Sequence, residues 1–150
     1  MKNKKLLEEV ATEIEEMGRR NPRGLKTLPT VEMGCWIVKH RGCGTAACVA
    51  GWIWLRDNLH KELLPAVVNR NTYFLVGASV GEDVRDLLDL RDWEARSLFF
   101  VQEWPEEIRN QIVRLENALL RMRPSKRTDE HQQVCNLVAT RIRQFSRTGR

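Results

Sequence analysis

The sequence predicts a mostly α-helical protein: a single compact domain of about five or six helices over residues 1–150, with room for one small β-hairpin. Three observations carry that expectation. Apolar residues recur at three- and four-residue spacing through most of the chain, which is the signature of helices burying one face. Helix-start and helix-stop chemistry punctuates those stretches at intervals suited to short connections. The 150 residues also match one ordinary domain, long enough to bury roughly 70% of its unfolded surface without a disulfide or a metal.

Taken in order, residues 1–30 read as an amino-terminal helix and loop. Leu6, Leu7, Val10, Ile14 and Met17 form an apolar stripe among Glu8, Glu9, Glu13, Glu15 and Glu16, and Gly18 is the expected stop. Asn21-Pro22-Arg23-Gly24 is turn chemistry. Trp36-Ile37-Val38 suits a brief strand that Lys39-His40-Arg41-Gly42 ends. A second helix is expected to begin at Thr45, an N-cap residue behind Gly44, and to run from Ala46 to about Leu59. Cys48, Trp52, Leu55 and Leu59 would be its buried stripe, and Gly51 a point of close approach. Residues 61–80 leave helix and strand both open.

Beyond Gly81 the helical period returns. Val84, Leu87 and Leu88 mark one helix, and Ala95, Leu98 and Phe99 a short one starting near Asp92. Trp104-Pro105-Glu106-Glu107 opens a longer helix with Ile108, Ile112, Leu115, Leu119 and Met122 inward, its acids matching the helix dipole. Residues 121–150 read as a basic connector and final helix, with Thr128 or Asp129 as cap and Val134, Leu137, Val138, Ile142 and Phe145 inward.

Composition excludes several classes. At 42% apolar and 30% charged the chain is neither disordered nor fibrous. The apolar run from Cys48 to Leu55 is cut by Arg56 and Asp57, so no membrane span is expected. The basic start at Lys2 to Lys5 leads into Glu8 and Glu9 rather than an apolar core, which places the protein in the cytoplasm, the host's if the chain is phage-encoded. There Cys35, Cys43, Cys48 and Cys135 are expected as free thiols. No C-x-x-C pair supports a metal site, and no cofactor motif is present.

The formal charge of +5 is uneven. Residues 121–150 hold eight Lys/Arg against two acids, while residues 81–120 hold five against ten. Such neighbours either attract each other within the fold or offer the basic end to an anionic partner.

The concentrated chemistry lies at Cys43-Gly44-Thr45-Ala46-Ala47-Cys48. A helix opened by Gly44, Thr45 and Ala46 presents unblocked N–H groups and the positive end of its dipole. Lys39, His40 and Arg41 just before it add positive charge, and Trp36 and Trp54 offer stacking surfaces. These eight residues are the candidate ligand-binding set; a capped and tightly packed core helix is the plainer reading of the same pattern. Catalysis is not expected, because His40, His60 and His131 stand far apart and form no recognised pair with a nucleophile.

Met33-x-x-Trp36, Cys43-Gly44-Thr45-x-x-Cys48-x-Ala50-Gly51-Trp52, the Leu87 to Phe99 pattern with Trp104-Pro105, and a final helix ending Phe145-x-x-Thr148-Gly149 resemble a group of small phage, prophage and bacterial proteins. The likeness spans most of residues 31–149. It implies a phage setting, in which small basic proteins sequester components of host defence; it implies no activity.

The expected function is therefore non-enzymatic capture of a small anionic ligand, a nucleotide or cyclic-nucleotide signal, in an anti-defence role. The alternatives are a protein-interaction module or inhibitor, and nucleic-acid binding through the basic carboxy-terminal segment. A homo-oligomer fits either reading, and a membrane partner fits neither.

Overall fold

A computed structural model describes residues 3–31, 37–40, 45–57, 64–69, 72–76 and 80–150. The protein is mostly helical, with six α-helices among the described residues: α1 (Lys4–Arg20), α2 (Val49–Asp57), α3 (Val80–Leu88), α4 (Asp92–Phe99), α5 (Glu106–Arg121) and α6 (Glu130–Thr148). Two single 3-10 turns, Val101–Glu103 and Pro124–Lys126, flank α5. Five short strands, β1 (Thr30–Val31), β2 (Ile37–His40), β3 (Thr45–Ala47), β4 (Leu64–Asn69) and β5 (Thr72–Val76), form one sheet in the order β1-β3-β2-β5-β4. The expected hairpin is thus part of a larger sheet. Its pairs are antiparallel except for β1 beside β3, and β4 pairs β5 with a bulge between Val67 and Asn69.

The helical core is built around α6, which packs along α1 and against α5. Leu7, Val10 and Ile14 of α1 face Val134, Val138, Ile142 and Phe145 of α6 in one fully buried cluster. α1 stops at Arg20, near the expected Gly18. Gly18 lies in the last turn, where an added Cβ would stand 2.7 Å from the Cβ of Cys135 and 3.1 Å from the Cα of Gln132. Only a residue without a side chain lets the two helices come this close. The C-cap of α1 is Asn21, whose N–H bonds the Met17 carbonyl.

The start of α6 is closed from outside its own sequence. Asp129 holds the N-cap position, yet neither it nor Thr128 supplies a side-chain cap. The Pro22 carbonyl accepts the N–H groups of His131 (3.0 Å) and Gln132 (3.2 Å) instead. At the end of α5, Arg127 donates to the carbonyls of Leu119 and Met122 and to Gly24, tying the connector to the 21–29 loop.

On α2 the buried stripe is Ala50, Ile53 and Trp54 with Val49, while Trp52 is half-buried and donates its indole N–H to the Thr30 carbonyl at 3.3 Å. Of the expected stripe through Cys48, Trp52, Leu55 and Leu59, Cys48 is buried and Trp52 half-buried, while the Leu55 side chain and all of Leu59 lie outside the described residues.

Candidate ligand-binding site

Thr45–Ala47 is a strand, so no helix begins at Thr45. Ala46 pairs with Thr30 on one side and Val38 on the other, and ladder bonds to two neighbours outweigh the helical preference of two alanines. The first helical bond of α2 runs from the Trp52 N–H to the Cys48 carbonyl, at 3.0 Å. Cys48 is 3% exposed, with Val49 and Ala50 wholly buried. Burial pushes the Cys48 thiol pKa up, opposed in part by the N–H groups of Gly51 and Ala50 that face the sulfur. The positive end of α2 is thus closed by its own cysteine and offers no open seat for an anion.

Trp54 is equally closed. It is 4% exposed and donates its indole N–H to Oδ2 of Asp83 at 2.8 Å, joining α2 to α3 as part of the core. It supplies no stacking face to a ligand. Trp36, Arg41 and Gly44 lie outside the described residues, as do the expected Cys35 and Cys43 thiols.

Two of the remaining residues are brought together. Lys39 on β2 stands opposite Thr45 on β3 and, on its other side, opposite Tyr73 on β5, whose next partner is Val67 on β4. Residues directly opposite in neighbouring strands share a face of the sheet with Cβ atoms about 5 Å apart. His40 pairs with Thr72 one position further on. Thr45, Lys39 and Tyr73 are thus successive register partners across β3, β2 and β5.

The basic carboxy-terminal segment is largely committed to the fold. Arg143 of α6 donates to Oε2 of Glu15 (2.8 Å) and to Oε2 of Glu8 (3.2 Å) on α1. Arg56 similarly engages Glu9 and Glu13. The partners of Arg143 are on α1 and not in the acidic 81–120 segment, whose carboxylates Asp86, Asp92, Glu94 and Glu103 are matched locally by Arg85, Arg91 and Arg96. Arg141 is buried and Arg127 serves as a cap. Exposed cations remain at Arg121, Arg123, Lys126, Arg147 and Arg150.

One pairing was invisible in sequence terms. His131 and Cys135, one turn apart on α6, lie side by side in the core with Nε2 and Sγ 3.5 Å apart. The imidazole is already engaged. Its Nε2 accepts the Val31 N–H at 3.0 Å, which puts its proton on Nδ1, 2.7 Å from the Asn21 carbonyl. Burial pushes the Cys135 thiol pKa up to about 12. A buried thiol that stays protonated is a packing residue, not a nucleophile.

Among the described residues no helix is long and apolar enough to cross a membrane, and Cys48 and Cys135 are buried and outside any disulfide. No protein-family model, curated protein or solved structure matches the chain.

Proposed function

We propose that the chain is a non-enzymatic binding protein that captures a small anionic ligand on the sheet face where Lys39 and Thr45 stand opposite each other. The register between β2 and β3 is the observation that carries this reading, because it unites a cation and a hydroxyl that sequence distance leaves six residues apart. Tyr73, opposite Lys39 from the far side, adds a ring of the kind on which a nucleobase stacks. In sequence Lys39 is followed by His40 and by a second cation, Arg41. A nucleotide or cyclic nucleotide combines the phosphate and the flat base that this row suits. In the phage setting implied by the resemblance, its role is to sequester a host defence signal.

Calorimetry of the full chain against mono-, di- and cyclic nucleotides tests the proposal. A binder should appear in the panel, and Lys39→Gln should weaken it about tenfold or more, the usual worth of a charge-assisted contact. Failure of every nucleotide to bind, or equal affinity in Lys39→Gln, overturns it.

A further inference from the structure

Two short segments that are far apart in sequence meet where α1 ends and α6 begins, and neither contains an acid. Residues 19–26 carry Arg19, Arg20, Arg23 and Lys26; residues 121–127 carry Arg121, Arg123, Lys126 and Arg127. The Arg127 guanidinium bridges the two, donating to the Met122 carbonyl (3.2 Å) on one side and to the carbonyls of Gly24 (3.2 Å) and Arg23 (3.4 Å) on the other. The Pro22 carbonyl accepts the N–H groups of His131 and Gln132, and a Cβ added at Gly24 would meet Cδ2 of Leu119 at 3.5 Å. The 21–25 turn is itself fixed. Asn21 Nδ2 donates to the Leu25 carbonyl at 3.0 Å, its Oδ1 accepts the Leu25 N–H at 2.8 Å, and Gly24 takes φ +63°.

The eight cations exceed the formal charge of the whole chain, +5, so the rest of the molecule is net negative. Arg127 is spent on carbonyls and Arg19 on Glu16. The other six, Arg20, Arg23, Lys26, Arg121, Arg123 and Lys126, are exposed, and among the described residues none forms an ion pair. Elsewhere the surface arginines Arg56, Arg85, Arg91, Arg96 and Arg143 all hold carboxylates. The acids that follow the patch are engaged by neutral donors, Asp129 by the Gln133 amide at 2.9 Å and Glu130 by the Thr128 N–H at 2.8 Å. The dipoles of α1 and α5 favour Arg20 and Arg121 at their carboxy ends, but Arg23, Lys26, Arg123 and Lys126 lie beyond either helix. Like charges gathered in this way repel one another, a cost that a partner with closely spaced negative charges removes.

We propose that this two-part patch is a docking surface for the phosphate backbone of double-stranded nucleic acid, an activity separate from capture of a small ligand on the sheet. Four of the six exposed cations are arginines, whose planar forks take phosphate oxygens in pairs. Neither segment contains an aromatic residue, so the patch offers unpaired bases nothing to stack on. That favours a duplex over a single strand, and contact through phosphates makes the recognition independent of base sequence. Two anchored segments also hold the charges at fixed spacing, which suits the regular phosphates of a duplex. An anionic lipid surface is the rival occupant, since Leu120, 82% exposed, directly precedes Arg121.

Fluorescence anisotropy of labelled DNA and RNA duplexes of about 20 base pairs, titrated with the full chain between about 0.05 and 0.2 M salt, tests the proposal. At least one duplex should bind, more tightly than a single strand of the same length, with log affinity falling on log salt at a slope of about −4 to −5 for up to six phosphate contacts. Arg23→Gln with Lys26→Gln, and Arg123→Gln with Lys126→Gln, should each weaken binding about tenfold or more and flatten the slope by about 2. Arg147→Gln with Arg150→Gln removes the same charge at the other end of α6, about 25 Å along the helix, and should change affinity less than about twofold. All three double variants alter exposed side chains and should melt like the parent. Absence of duplex binding at about 0.05 M salt, equal weakening by all three double variants, an effect of only one patch pair, or binding to phosphatidylserine vesicles without binding to a duplex overturns the proposal.

Discussion

The backbone N–H of Val31 donates to Nε2 of His131 across 3.0 Å, joining residues 100 positions apart. Because Nδ1 of the same ring meets the Asn21 carbonyl, one imidazole satisfies a donor of β1 and an acceptor at the end of α1. A leucine of similar volume would leave the Val31 N–H without this acceptor, while the Asn21 carbonyl would keep only the Gly24 N–H at 3.1 Å. His131→Leu should therefore lose about 1–3 kcal/mol, whereas His131→Gln, which keeps a donor and an acceptor, should lose less. Denaturant midpoints measure both; a leucine variant within about 0.5 kcal/mol of the parent would show that the staple contributes nothing.

Gly18→Ala should destabilise the protein although alanine favours helix. The new Cβ meets the Cβ of Cys135 at 2.7 Å, so α1 and α6 must move apart. Overpacking of this kind costs about 1–3 kcal/mol, against about 1 kcal/mol gained in helix propensity. The second site gives a sharper check. Cys135→Ala should not rescue Gly18→Ala, because it removes the sulfur and keeps the offending carbon, while Cys135→Gly should rescue part of the loss in packing.

Acid should weaken the α1–α6 contact in a defined window. The Arg143 hydrogen bond holds the Glu15 carboxyl below its ordinary pKa, so the stabilisation is complete above the unfolded glutamate value and fades as pH falls through the lower folded one. Compared with Glu15→Gln, the parent should be more stable by a constant amount above about pH 5, with the gap closing in stronger acid. Both partners are partly exposed, and the gap should stay below about 1 kcal/mol. Urea melts across this pH range would refute the assignment if the gap widened on acidification.

Cys48 and Cys135 should resist thiol reagents in the native state. Both are buried with raised pKa values, that of Cys135 about 12, so at pH 8 only about one Cys135 thiol in ten thousand is ionised even before access is considered. Peptide mapping after alkylation should find these two positions modified only under denaturing conditions. Rapid native labelling of either one would contradict the packing described.

Helices were legible wherever one stripe of side chains decides the outcome. The Leu7, Val10, Ile14 and the Val134, Val138, Ile142, Phe145 sets are the ones that α1 and α6 bury. Thr45 was misleading because its strong local signal, a cap, is overruled by the pair of strands on either side, one of them only two residues long and without any periodicity of its own. The β-branched and aromatic residues of 64–76 were visible, but nothing local fixed β5 beside β2. In the candidate site the residue types were readable and their arrangement was not. Lys39 and Thr45 are opposite each other only through strand register, Trp54 is held in the core against Asp83 of α3, and Arg141 looked like one more cation of a basic tail until its burial became visible.

The antiparallel match of α1 with α6, in which Gly18 faces Cys135 while Glu8 and Glu15 face Arg143, also sets an order of events during synthesis. The first helix leaves the ribosome with Leu7, Val10 and Ile14 uncovered, and the surface that covers them is made more than 100 residues later. The carbonyl of Pro22 and the N–H of Val31 wait for the same helix. A nascent chain stopped before residue 130 therefore has no route to the native core, whatever its local helicity, and exposes an apolar stripe for as long as translation lasts. Completion of the fold is a late closure of long loops, so the newly made α1 depends for its protection on the speed with which α6 follows.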